Sequence, residues 1–149
     1  MTILKILIVT VFGLALGQAK SADSTVFSPT RSVSVSIAIE GPRVDYEIRR
    51  AGSVVSHEYV TQTENPLKLV LADYNFDGYK DFSVFHIDDG MGTYTVHYIF
   101  VYSPKANTFV ELIPKCGHMF ANLVRNKKGH TLSHMYYVDN VPTTCTRKY

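Results

Sequence analysis

From residue 31 onward, apolar and polar side chains alternate with a period of two. Val33, Val35, Ile37 and Ile39 are interleaved with Ser32, Ser34, Ser36 and Ala38, the pattern of a strand that buries one face. Gly41-Pro42 breaks the run. A second strand is predicted over 44–50, and Ala51-Gly52-Ser53 forms a short turn before a third over 54–60. Asn65-Pro66 stops the chain again. The runs 67–72 and 82–87 are strongly apolar and bracket a loop rich in Asp and Gly. Tyr94 opens YTVHYIFVY, the most β-prone run of the chain, because β-branched and aromatic side chains suit a half-buried pleated surface. Ser103-Pro104 ends it, and strands over 107–113 and 131–138 complete the set.

Beyond the N-terminal leader, no stretch repeats apolar residues at i, i+3, i+4 and i+7 over three turns. Residues 119–125 are expected to make one or two helical turns at most. Short strands at roughly ten-residue spacing, separated by turn signals, predict an all-β domain. The expected architecture is a compact antiparallel sandwich or sheet of about 8 strands, carrying one calcium-binding loop.

The first residues follow a different pattern. Lys5 precedes a nearly unbroken apolar run from Ile6 to Leu16, and Gly17-Gln18-Ala19 follows. That run is about 11 residues where a membrane span needs roughly 20, and small residues stand where a signal peptidase cuts. Residues 1–19 therefore read as a signal peptide cleaved after Ala19, and 20–149 as one exported β-rich domain, periplasmic or secreted, with no membrane span in its mature form. With a formal charge of only +2 at pH 7 for the 149 residues, the chain lacks the concentrated basic face that nucleic acid requires. Ten Tyr and eight Phe exclude disorder.

Export changes the reading of Cys116 and Cys145, the only two cysteines. In an oxidising compartment an isolated pair is most simply a disulfide, and closing such a loop stabilises a fold by about 3–4 kcal/mol in the chain-entropy model. It would also tie down the tail 141–149, which otherwise shows little reason to stay ordered. Two free thiols serving as metal ligands, or a catalytic cysteine, are the competing readings.

The sharpest chemical signal is Asp73-Tyr74-Asn75-Phe76-Asp77-Gly78-Tyr79-Lys80-Asp81. Side-chain oxygens recur at loop positions 1, 3, 5 and 9, with glycine at 6. Calcium takes six to eight oxygen ligands, and this spacing predicts a Ca2+ site built from Asp73, Asn75, Asp77, the carbonyl of Tyr79, and Asp81. An EF-hand is excluded, because Val84 stands where a bidentate Glu is needed and strands flank the loop. The pattern between strands resembles the calcium loops of FG-GAP repeats, though it occurs once. The alternative is an acidic hairpin without metal, whose carboxylates would repel one another. Such an ion would staple two strands rather than act on a substrate.

Gly90, Met91, Gly92, Thr93 and Tyr94 form a second candidate site. Two glycines allow the backbone to protrude, and Met91 and Tyr94 offer adaptable contact surface. This segment is read either as an ordinary hairpin turn or as a loop that enters a partner's cleft, with Asp88 and Asp89 alternatively extending the calcium shell. The six histidines are scattered and read as satisfied or exposed side chains. His130 and His134, placed on a strand, would sit about 13 Å apart, too far to share a metal. The acids outside the calcium loop supply no separated pair for glycoside hydrolysis, and the Gly-x-Ser-x-Gly turn of serine hydrolases is missing. No catalytic residue is predicted.

The leader, the strand–DYNFDGYKDF–strand element, the glycine loop ending in Tyr94 and the YYVDN segment (136–140) together resemble a bacterial family. Its members are periplasmic proteins similar to invertebrate-type lysozyme inhibitors, including immunity proteins against peptidoglycan-cleaving effectors of type IV secretion systems. The resemblance covers roughly residues 67–140. It implies a compact β-rich domain with bound calcium that plugs the cleft of a lysozyme-like enzyme. The inhibitors' loop has the form Ser-Gly-x-Tyr, matched here by Met91-Gly92-Thr93-Tyr94, with Met91 in place of Ser. The leading expectation is an exported inhibitor of, or immunity protein against, a peptidoglycan hydrolase, and not an enzyme. The rivals are a calcium-stabilised structural or adhesion module of the envelope and a small hydrolase.

Overall fold

A computed structural model describes residues 24–149; the predicted signal peptide lies outside the described residues. Within them the chain forms eleven strands and two antiparallel sheets. The first sheet is a meander of β1 (Ser24–Thr30), β2 (Val33–Glu40), β3 (Arg43–Arg50) and β4 (Ser53–Val60) in that order. The second comprises β5 (Lys68–Ala72), β6 (Asp81–Ile87), β7 (Thr95–Ser103), β8 (Thr108–Leu112), β9 (Phe120–Asn126), β10 (Thr131–Val138) and β11 (Val141–Lys148). Its order is β11-β10-β9-β7-β6-β5. One edge of β7 is shared, since β9 pairs with it at Val96 and His97 while β8 pairs along Ile99 to Ser103.

The alternation read from the sequence sets the core. Val33, Val35 and Ile37 of β2, with Val44, Tyr46 and Ile48 of β3, are buried against Phe82 and Val84 of β6 and Phe100 and Tyr102 of β7. The aromatic rings interlock: Tyr46 meets Phe82 edge-on at 5.3 Å, and Phe82 stacks on Phe100 at 4.7 Å. The opposite face of the second sheet is also covered, by a smaller cluster of Tyr74, Ile99, Phe120 and Leu132. The 73–80 loop thus folds back over its own sheet through Tyr74, whose hydroxyl lies 2.6 Å from the Ser83 Oγ.

Three strands exceed the predicted set, and one prediction is overturned. Residues 120–126 are strand β9 rather than helical turns. Asn122 sits there at φ 47 and the pairing with β10 slips nearby, so Phe120 and Ala121 are buried consecutively. This bulge erases the period of two. The tail is not held by the cystine alone: β11 pairs with β10 over its whole length, from Val138↔Val141 to Thr131↔Lys148.

Candidate functional site

The 73–81 loop brings Asp73, Asn75 and Asp77 together at the β5–β6 turn. Asp73 accepts the N–H groups of Asp77 (3.2 Å) and Gly78 (3.0 Å). Asn75 Oδ1 receives the same Asp77 N–H at 3.3 Å, and its Nδ2 donates to Asp77 Oδ2 at 2.7 Å. The other Asp77 oxygen receives the Tyr79 N–H at 2.9 Å. Gly78 adopts φ 91 and Phe76 φ 59, backbone conformations that close the reversal and that glycine enters without strain.

Asp81 stands apart in character. It is fully buried, and its two oxygens accept the N–H groups of Tyr74 (2.7 Å) and Tyr102 (2.8 Å). Burial pushes its carboxyl up to about 6, the two backbone bonds oppose that shift, and the charges of Asp77 and Asp73 add to it. Arg125 brings a positive charge to the loop, donating to the Asp73 carbonyl at 3.1 Å and lying 5.6 Å from the centre of the Phe76 ring. Among the described residues, no three His, Cys, Asp or Glu side chains converge tightly enough to hold a metal by themselves. The donor set is nonetheless all oxygen, suited to a hard cation, and a carboxylate oxygen holding one N–H retains a second lone pair.

The 88–94 loop lies at the far end of β6, so a seven-residue strand separates the two loops by about 20 Å at 3.3 Å per residue. Asp88 organises it. One oxygen accepts the N–H groups of Thr93 (2.6 Å) and Tyr94 (2.9 Å), and the other that of Gly92 (3.2 Å). Its own N–H donates to the Tyr94 carbonyl at 2.9 Å. The backbone bond from Tyr94, with those from Thr93, Gly92 and Met91, holds the Asp88 carboxyl below its usual range. Asp89 fastens the loop sideways, accepting from Thr63 Oγ1 (2.6 Å) and Asn65 Nδ2 (3.1 Å). Neither aspartate extends the 73–81 cluster: their oxygens bind their own loop and the β4–β5 link. These roles had a signal in the sequence, since Asp-Asp-Gly is a turn in which the side chain accepts from backbone a few residues on. Met91 is left 86% exposed at the tip.

Cys116 and Cys145 are joined, with sulfurs at bonding distance and Cα atoms 6.1 Å apart, within the range a disulfide spans. Because β11 holds itself, the cross-link pins the segment between β8 and β9. The histidines are less satisfied than expected. His57, His86, His97 and His134 each bury a ring nitrogen without a hydrogen-bond partner. His130 lies in the turn before β10 and stacks on Phe76 at 5.2 Å. Among the described residues no helix is long and apolar enough to cross a membrane.

No protein-family model matches the chain, and neither a curated protein nor a solved structure matches it.

Proposed function

We propose that this chain is an exported binding protein without catalytic activity of its own. It inhibits, or gives immunity to, a lysozyme-like peptidoglycan hydrolase by inserting the 88–94 loop into the enzyme's cleft. The reading is carried by one observation: a protruding tip, with Met91 86% exposed, on a loop whose amides are already fixed by Asp88. A loop held in shape before contact loses little entropy on binding. Because the amides of Gly92, Thr93 and Tyr94 turn inward, the tip offers its partner the Met91 side chain rather than backbone donors. The resemblance of Met91-Gly92-Thr93-Tyr94 to an inhibitor loop supports the same reading.

The proposal includes a calcium ion held by Asp73, Asn75, Asp77, the Tyr79 carbonyl and Asp81. It would neutralise carboxylates that otherwise repel, and so staple β5 to β6. The cystine and the N-terminal leader support a periplasmic or secreted location. A second reading is a calcium-stabilised adhesion module of the envelope. The edge of β4, unpaired among the described residues, favours it, with Val54 51%, Val55 48% and Val60 57% exposed. The purified protein, titrated against several lysozyme types and any co-encoded hydrolase, should abolish the activity of at least one, and Met91→Ala should weaken that inhibition about tenfold, the loss of one well-packed contact. Full activity of every hydrolase tested, alongside retention on envelope fractions, would favour adhesion.

A further inference from the structure

Beside the loop, between the β4–β5 link and the strand faces, lies a hollow of about 290 Å³ lined by Thr63, His86, Asp88, Asp89, Tyr94 and Tyr98, among others. We propose that this hollow seats one basic side chain, an arginine or lysine of the protein that the loop engages; this rests on the binding-protein reading and names the chemistry of its partner.

The vacant groups there are acceptors. The side-chain donors to Asp89, from Thr63 and Asn65, both reach its Oδ1. Oδ2 lies 3.7 Å from His86 Nδ1, too long for a hydrogen bond. The Asp89 side chain is 49% exposed, so its carboxylate is within reach from outside. The hydrogen bonds from Thr63 foremost keep the carboxyl below its usual range, hence charged at neutral pH.

His86 supplies an independent indication. It is only 4% exposed, and its Nδ1 lies 2.7 Å from the Ile87 carbonyl. A carbonyl only accepts, so Nδ1 carries the proton and Nε2 presents a bare lone pair. That nitrogen is buried without a partner, a state that costs free energy, on a ring that lines the hollow. The His86 ring stacks on Tyr98 at 6.0 Å, and Tyr94 and Tyr98 give the hollow two aromatic walls. A charged, half-exposed acceptor and two ring faces suit a cation that donates several hydrogen bonds and is drawn to π surfaces. A neutral polyol could donate hydroxyls to the ionised carboxylate but brings no positive charge to offset it.

The full protein, labelled with ¹⁵N at histidine, is titrated by NMR with N-acetyl-argininamide, and with N-acetyl-citrullinamide as its uncharged isostere. The arginine compound should move the His86 Nε2 resonance saturably in the millimolar range, and the citrulline compound should not. Asp89→Asn, which keeps an oxygen for Thr63, should weaken binding about fivefold, the loss of one exposed charge contact. Tyr98→Phe retains the ring wall and serves as the folded control if Asp89→Asn fails to fold. Equal response to both compounds, no saturable shift, or displacement of the arginine compound by chitotriose would overturn the assignment. Hydrolase inhibition is not read in this experiment. A protein that takes the arginine compound yet inhibits nothing therefore sinks the hydrolase reading alone.

Discussion

At the scale of single residues, the buried histidines carry the clearest consequence for pH. His97 stacks on Phe85 at 4.8 Å, and its Nε2 lies 3.1 Å from Thr95 Oγ1. Burial first, and then the nearby His86 ring, hold its ring down to about 4 from an ordinary 6.5. The unfolded chain therefore takes up this proton first as the pH falls. Stability due to the neutral ring is complete above about 6.5, is lost as the pH drops toward 4, and changes no further below that. The difference amounts to at most about 3 kcal/mol. His97→Phe preserves the stack on Phe85 without titrating. Urea midpoints taken between pH 7.5 and 4.5 should fall less steeply for this variant than for the parent, and parallel slopes would contradict the assignment. The sequence showed His97 within a strand; its unpartnered Nδ1 depends on which neighbours the fold brings to it, which no spacing encodes.

At the scale of elements, β9 shows how a strand escapes its own pattern. Asn122 enters the left-handed region at φ 47, and its side-chain Oδ1 accepts the Thr95 N–H at 3.1 Å. The side chain thus stands in for a rung of the ladder that the bulge removes. Asn122→Gly should be the milder change, losing one hydrogen bond of about 1 kcal/mol while the backbone stays relaxed. Asn122→Val should cost about 1–2 kcal/mol more, because a β-branched residue resists positive φ. Chemical denaturation of the two variants gives the order directly, and equal midpoints would refute the bulge as a source of strain. The other two unpredicted strands, β1 and β11, are the outer strands of their sheets and contain Pro29 and Pro142. Proline reads as a strand breaker, yet an edge strand tolerates it because one row of its N–H groups has no partner to lose. The interior strands, buried on one or both faces, announce themselves by alternation or by apolar runs. The proline-bearing rim strands β1 and β11 and the bulged β9 do not, whereas β4 and β5, also at the rim but without proline, do.

At the scale of the whole molecule, β6 keeps its two candidate sites apart. The acidic loop closes its Asp81 end and the protruding loop its Ile87 end, about 20 Å away. Both loops are legible as sequence motifs, but an ion held at the first would stand a strand's length from the second and could not steady it directly. The fold assigns that task to Asp88 instead, one residue beyond the strand. This separation predicts that stability and recognition respond to different treatments. Adding calcium to the chelated protein should raise the melting temperature, by the equivalent of about 2.7 kcal/mol at one hundred times the dissociation constant. The affinity for the proposed hydrolase partner should stay within about twofold, because the 88–94 loop has its own fastening. Asp88→Ala should do the reverse. It leaves the amides of Gly92, Thr93 and Tyr94 without their acceptor, speeds their hydrogen exchange and weakens hydrolase binding about tenfold, while the calcium-induced shift in melting temperature persists. Calorimetry with and without chelator, paired with binding titrations of both proteins, measures all four quantities. If chelation alone abolished binding, the two ends of β6 would have to be coupled through the sheet, and the independence of the loops would be lost.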